Sequence, residues 1–396
     1  MNEQAIDSAP GASFGASPRL RQRYRRERRF HAYCIGALGL AVAFLIVFFA
    51  DMIHIGYSAF VQTEVKVPVD YSEQALQVPP RAVPDDMRPF VSRGFLRQLP
   101  RVAKANPELV GTKQEQWVLA TADVDQYRKG QKSALEEDVA ARADRLQEQG
   151  RLRYAFNTWL FTHGDSKIPE LAGLKSAIIG SLYVLTITLA FAFPVGVMTA
   201  VYLEEFAPDN RFTQAIEINI NNLAAVPSIL FGLLGLAIFI NFFGVPRSSA
   251  IAGGLTLGLM TLPVIIISTR AALRAVPYAI REGALAMGAT RWQTVRDHVL
   301  PVSLPGILTG TIIGLAQAMG ETAPLLLVGM IAYIPDAPTS FVDAATVLPA
   351  QIYTWAGMPE RAYVGRTAAA ILVLLAILIA LNATAVFVRR KFERRW

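Results

Sequence analysis

Cysteine is almost absent from this 396-residue chain, and Cys34 on its own cannot form an intramolecular disulfide. Histidine is nearly as scarce, with four residues, and no Cys/His spacing resembles a metal site, so no metal and no catalytic residue is expected. Charge is thin as well. Only 17% of residues are charged while 53% are hydrophobic, and the mean hydropathy is +0.35. That balance excludes an ordinary pair of soluble domains and places most of the chain in lipid. A further absence bears on energy supply. No G-x-x-x-x-G-K-[ST] run occurs and no Gly is followed by Lys, so the chain lacks a phosphate-binding loop of that type. What it does carry is an excess of base, 38 Lys and Arg against 31 Asp and Glu, for a net charge of +7. In a soluble protein this would suggest nucleic acid, so the placement of the charges has to decide.

A hydrocarbon core about 30 Å thick needs roughly 20 apolar residues in helix, because no backbone group can go unpaired there. Six stretches qualify: 34–50 with an extension to 55, 174–203, 223–243, 250–272, 304–332 and 367–388. Residues 1–30 hold seven Arg against three acids, residues 389–396 five bases against Glu393, and the loop after the fourth stretch five Arg against Glu282 and Asp297. All three are expected inside by the positive-inside rule. The reading is an all-α polytopic membrane protein with six transmembrane helices, both termini in the cytoplasm. Its parts are an Arg-rich N-terminus (1–30), an anchor helix (31–60), an insert on the outside (61–168), a five-helix core (169–388) and a basic tail (389–396). Loop 204–217 is the exception, acidic although it falls inside. The first stretch can also be read as a signal peptide, but its length and the long basic region before it favour an uncleaved anchor. Its Arg cluster reads as a topology determinant that attracts anionic lipid, not as a nucleic-acid arm.

The insert holds 16 bases and 17 acids if counted over 51–170 and is punctuated by Pro79-Pro80, Pro84 and Pro100. Alternation over 63–69 predicts a strand, and 133–152 carries acids followed by bases at helical spacing, so an α or α+β domain is expected. Tyr154, Phe156, Trp159 and Phe161 precede the second span, where aromatic rings suit the headgroup boundary. His163 has no nucleophile or carboxylate cluster in the local sequence, and no function is assigned to the insert.

The loop 277–301 between the fourth and fifth spans is the most specific part of the chain. Ala, Leu and Met around Glu282 favour helix, Gly288 permits a sharp turn, and Leu300-Pro301 closes a second short helix before the next span. Glu282, Ala284, Gly288, Leu300 and Pro301 fall in the register E-A-A, three residues, Gly, nine residues, I-x-L-P. Gly283 stands where that pattern has Ala, and His298 where it has Ile. This resembles the signature of ABC importer permeases, and implies a MetI-like core with a coupling helix that docks on an ATPase. The resemblance sharpens at Asn222-Leu223-Ala224-Ala225-Val226-Pro227-Ser228, at Ser268-Thr269-Arg270 and at Gly320-Glu321-Thr322-Ala323-Pro324, which look like the phosphate importer permeases of the PstA type, with the N-terminal half similar to their extended form. It implies a second permease subunit (PstC type), a homodimeric ATPase (PstB type) and a periplasmic phosphate-binding protein (PstS type). It also implies a bacterial inner membrane location, no enzymatic activity in this chain, and no cofactor bound here, with ATP and Mg used by the ATPase. Glu282, Gly283, Ala284, Gly288, Leu300 and Pro301 are then the expected coupling residues.

Candidates for the translocation path are Asn222, Ser228, Arg270, Gln317, Glu321 and Thr322. Counted from residue 304, Glu321 lies 17 residues into its span, roughly 25 Å along a helix. A carboxylate at such depth costs on the order of 2.5–3.5 kcal/mol unless it faces protein or water. It is open to several roles: pairing with an Arg of the partner permease, gating, accepting a hydrogen bond from protonated phosphate, or a buried interface contact. Gln317, one turn below, replaces an Arg that members of the resembled family often carry, so the partner subunit would supply the central cation. Arg270 can serve the path or belong to the coupling loop. Asn222, Ser228, Gly232 and Gly235 can line the path or let the third span pack closely. Pro194, Pro227, Pro263 and Pro324 are expected to kink their spans. Permeases for other oxyanions such as sulfate or molybdate, a stand-alone secondary transporter, and a receptor sensing through the insert are the alternative readings.

Overall fold

The structure is a computed structural model that describes residues 18–392. It falls into two units, Met1–His54 and Ile55–Trp396. The described part of the first unit is a helix, α1 (Pro18–Tyr57), whose last residues from Ile55 on are counted in the second unit. The arginines from Arg19 to Arg29 are therefore helical from the start and continuous with the apolar run, not a separate N-terminal region. The remainder of the expected N-terminal stretch and the final residues of the basic tail lie outside the described residues.

The insert is α+β. Its centre is β1 (Val61–Asp70), flanked in antiparallel fashion by β2 (Lys113–Leu119) and β3 (Leu152–Phe156), in the order β2-β1-β3. Val65, Val67 and Val69 alternate along β1 and are wholly buried, the period-two pattern that marks a half-buried strand. They face α2 (Arg93–Ala105) and α3 (Glu137–Glu148) in one core with Leu96, Leu99 and Leu146. Each such valine contributes about 1.5–3 kcal/mol when fully buried. Pro68 sits where β1 pairs with β2 but no longer with β3, so its missing N–H does not interrupt a central ladder. The expected helix over 133–152 is shorter, because Leu152 already belongs to β3.

The spans follow as α4 (Lys175–Val201), α5 (Arg211–Ala224), α6 (Ser228–Gly235), α7 (Ala250–Arg274), the short coupling-loop helix α8 (Tyr278–Ala286), α9 (Leu300–Gly320), the short α10 (Ala323–Leu327), α11 (Leu348–Ala356) and α12 (Ala362–Phe392). Among the described residues, five helices are long and apolar enough to cross a membrane, or six with one bent pair. The chain is thus a multi-pass helical membrane protein. α4 runs against α7, α7 against α9, and α9 against α12. Small residues make the first contact possible: a Cβ on Gly254 or Gly258 would come within 2.6 Å of Ile187 or Phe191. The 27 residues of α4 cover about 40 Å, from the insert at Lys175 to an acidic pair at Glu204 and Glu205. The insert and the coupling loop thus lie at opposite ends of the core, as the charge distribution requires.

Three boundaries differ from expectation, each for a backbone reason. The third span is not one helix over 223–243 but a pair, Arg211–Ala224 and Ser228–Phe242, bent by 105°. Pro227, extended at φ −54° and ψ 135°, lacks an N–H and excludes helix from the residue before it. The fifth span is not continuous over 304–332. Its helix begins at Arg291, passes through a π turn at Val295–Val299 into α9, and stops at Gly320. Leu300-Pro301 therefore does not close a separate short helix; the wide turn just before Pro301 accommodates its missing N–H. Glu321 is extended (φ −77°, ψ 131°), so it caps the helix end instead of lying inside a continuous helix, while the run from residue 304 up to Gly320 is helical as expected. Pro194 and Pro263 lie inside helices, whereas Pro227 and Pro324 stand at the breaks.

Candidate functional site

The helix α8 opens after Pro277, whose extended backbone ends the preceding turn, and its nine residues are mostly good helix formers. It ends in a Schellman turn. Gly288 takes φ +86°, its N–H bonds Leu285 O at 2.9 Å, and Ala289 N–H reaches back to Ala284 O at 3.1 Å. The next helix starts two residues later with a capping box: Gln293 N–H bonds Thr290 Oγ1 at 3.3 Å and Thr290 N–H bonds Gln293 Oε1 at 2.8 Å. Local sequence alone therefore sets a helix–turn–helix with a fixed corner at Gly288.

What holds that corner to the spans is a network of ion pairs. Arg281 donates Nη2 to Glu205 Oε1 at 2.6 Å and to Leu273 O at 3.0 Å, and Nη1 to Val276 O at 2.9 Å. It thereby closes the last turn of α7 and ties it to the π turn Tyr202–Phe206 that ends α4. Arg270 lies between Glu204 (3.2 Å) and Glu217 (2.6 Å), and Arg274 reaches Glu204 at 2.8 Å. Three arginines of the basic loop are matched by three glutamates of the acidic one. Beneath them Val201, Leu273, Val276, Val295 and Val299 form a buried apolar seat.

On the other side α8 is open. Glu282, Gly283, Gly288, Tyr278, Leu285 and Met287 are exposed, Met287 to 89%, and Glu282 makes no ion pair among the described residues. A Cβ on Gly283 or Gly288 would meet nothing within 4 Å. A groove of about 550 Å³ runs beside the helix, lined by Glu205, Pro277, Tyr278, Arg281, Leu285 and Arg291. Ala284 is half-buried. Leu300 packs at the edge of the apolar seat, while Pro301 is exposed on the first turn of α9.

The path candidates divide. Arg270 belongs to the coupling network, its guanidinium engaged by two carboxylates. Gln317 is exposed on the last turn of α9, on a face shared with Ile313; Glu321 and Thr322 follow, partly exposed, in the extended break. The structure brings the third-span and fifth-span motifs together, since a Cβ on Gly232 would lie 2.7 Å from Pro324 Cα; one on Gly235 would lie 2.1 Å from Thr256 Oγ1 of α7, in the fourth span. Those glycines serve close packing. Asn222 is exposed at the end of α5 and Ser228 is half-buried at the start of α6, on either side of the bend. Sequence reasoning missed Glu204, Glu205 and Glu217. The available signal was that loop 204–217 was acidic on the side assigned to basic loops.

A family model described as "Binding-protein-dependent transport system inner membrane component" matches residues 192–396. The chain belongs to this family. The match takes in α8, its ion-pair network and both broken spans of the permease. A second model, described as a domain of unknown function (DUF3333), matches residues 17–89 and 77–137. Among curated relatives, the "Probable ABC transporter permease protein YqgI" of Bacillus subtilis (strain 168) is 37% identical over 42% of the permease and 56% of its own length. The "Phosphate transport system permease protein PstA 1" of Mycobacterium tuberculosis (strain ATCC 25618 / H37Rv) is 33% identical over 58% of the permease and 74% of its own length. Among solved structures, the MetNI methionine ABC transporter in an inward-facing form aligns over 54% of the permease and 95% of its own chain, with 21% identity and a TM-score of 0.44.

Proposed function

We propose that this chain is the membrane-spanning permease subunit of an ATP-driven importer for inorganic phosphate, forming half of the translocation path. The observation that carries the reading is α8, held rigidly on its inner side by Arg281–Glu205 and left open on its outer side at Glu282, Gly283, Gly288 and Met287. A short helix fixed to the ends of two spans, with apolar and acidic groups free, is suited to transmit motion from a partner docked on it. Phosphate as substrate is supported by relatives bearing that name in their titles.

The partners in this reading are a second permease of the PstC type, a homodimeric ATPase of the PstB type that binds ATP and Mg, and a PstS-type binding protein. The location is the bacterial inner membrane with α8 on the cytoplasmic side. This chain forms and breaks no covalent bond; the ATPase hydrolyses ATP. Glu321 and Gln317, at the end of α9 beside the break, face the path in this reading, and the absence of a cation at Gln317 leaves charge neutralisation of the anion to the partner permease. Co-purification tests the coupling assignment. With the tagged complex, Glu282→Arg is expected to lose the ATPase while the chain stays inserted, and full retention of both ATPase and ATP-driven uptake would overturn it.

A further inference from the structure

Two chain connections join the insert to the spans, and buried polar contacts reinforce them. Lys129 follows the short insert helix Ala122–Arg128 and points its ammonium at Ser58 O (2.7 Å), Val61 O (2.6 Å) and Asp125 Oδ2. It grips the joint where the chain enters β1. Asp125 accepts Thr63 N–H through its other oxygen at 2.8 Å. From the span side Arg366, on the first turns of α12 and only 8% exposed, donates Nη1 to Ala172 O at 2.6 Å, in the connector leading into α4. With its amide turned so that both ends are satisfied, Gln126 of the insert accepts Ala362 N–H at 2.6 Å.

These clamps border a partly open cavity of about 30 Å³, walled by Gln62, Asp125, Lys129, Glu170 and Arg366 among others. Gln62 is 6% exposed and its Oε1 has no hydrogen-bond partner; Glu170 is 9% exposed. Low-dielectric surroundings push the Glu170 carboxyl up and draw the Lys129 ammonium down from their ordinary ranges. A buried acceptor without a donor is costly, and a cavity needs only about 10–15 Å³ to take one water, so this one has room for about two. Two cations face two carboxylates across it. A neutral wall with both donors and acceptors suits water better than an ion of either sign, since water donates to Gln62 Oε1 and accepts from Arg366.

We propose that this cavity is a buried water site, and that the hydrated cluster welds the insert to α12, so that the insert moves as a rigid extension of that span. α12 packs on α9, whose unbroken run begins at Arg291 next to α8. A load placed on the insert therefore enters a stiff route that ends at the coupling loop, which a module tethered only by its connections cannot provide. The inference does not depend on which substrate is carried.

The test is a double electron–electron resonance measurement on the assembled complex in nanodiscs, in a Cys34→Ser background with spin labels at Glu148→Cys in the insert and Glu360→Cys beside α12. The expected result is one narrow distance distribution, the same without nucleotide and with trapped ATP, which broadens in both Arg366→Met and Lys129→Met and is restored to narrow by Arg366→Lys. A broad or nucleotide-dependent distribution in the unaltered cluster would overturn the rigid joint, and so would an Arg366→Met or Lys129→Met complex as narrow as the parent. A high-resolution map of the complex is expected to show water density between Gln62 and Arg366; an empty cavity or density for an ion there overturns the water site.

Discussion

Replacing Arg281 by Met removes the contact that fixes α8 to the rest of the molecule while keeping most of the side-chain volume. Its bonds to three partners are lost at once, to Glu205, Leu273 O and Val276 O. The Arg281 and Glu205 side chains are 15% and 10% exposed, so Glu205 is left as a largely buried charge with Arg281 gone. Breaking a fully buried pair from one side costs about 3–5 kcal/mol, and the groove beside Glu205 admits water, which lowers the expectation to about 2–3 kcal/mol. Since 1.4 kcal/mol is tenfold in an equilibrium, the docking pose of α8 becomes about 30–150 times less favourable relative to frayed states. Two readouts follow. Amide hydrogen exchange over residues 278–290 is expected to accelerate, and the affinity of the permease pair for its ATPase, measured by biolayer interferometry on nanodiscs, to fall by about 30- to 150-fold. Glu205→Gln in the same background should restore part of the loss, with a coupling energy above about 1 kcal/mol in the double-mutant cycle. Unchanged exchange together with parental ATPase affinity in Arg281→Met would refute the claim that this network positions the helix.

Other substitutions separate backbone from contact effects. At Gly288, where φ is +86° and space is open, Gly288→Val is expected to cut ATP-driven uptake by about 5- to 30-fold through backbone strain of about 1–2 kcal/mol, whereas Gly288→Asn should keep most of it; equal activity of the two would contradict the Schellman corner. Gly283→Ala introduces a methyl into open space and raises helix propensity by about 0.8–1 kcal/mol, so hydrogen exchange in α8 should slow without loss of ATPase binding. At the insert end, burial raises the carboxyl of Asp165 above its ordinary range, against the opposing bond from Trp355 Nε1 at 2.8 Å. A carboxyl with a raised folded-state pKa binds its proton more tightly in the native state, so its contribution is fully present below the unfolded value and is lost as pH rises through the folded one. Asp165→Asn should therefore raise the melting temperature at neutral pH and do so less at acid pH; a larger gain on the acid side would reverse the sign.

Much of the fold was readable because lipid imposes a simple rule. Apolar length located the second, fourth and last spans to within a few residues, and alternation located β1. The coupling loop was legible for a different reason, since a cap, a left-handed glycine and a helix are all local features. The misplaced elements share one cause: hydropathy does not register backbone breaks. Val226-Pro227 and Gly320-Glu321 sit within apolar sequence, and only the structure shows the segments after the two breaks packed together, with Gly232 against Pro324. Arg270 was undecidable from its own segment because its partners, Glu204 and Glu217, lie more than 50 residues away. The basic excess of the coupling loop turns out to be largely neutralised by Glu204, Glu205, Glu217 and Asp297, leaving Glu282 and the apolar residues of α8 for a partner.

The central claim is that this permease passes phosphate when an ATPase moves α8, and one measurement addresses both halves. The complete complex, reconstituted in proteoliposomes with ATP on the side of α8 and the binding protein on the other, is given radiolabelled phosphate while ATP hydrolysis is followed in parallel. The account predicts ATP-dependent accumulation that arsenate competes, that sulfate and molybdate leave unaffected, and that Glu282→Arg removes. Sulfate carried as well as phosphate, or full phosphate uptake in the Glu282→Arg complex, would contradict it.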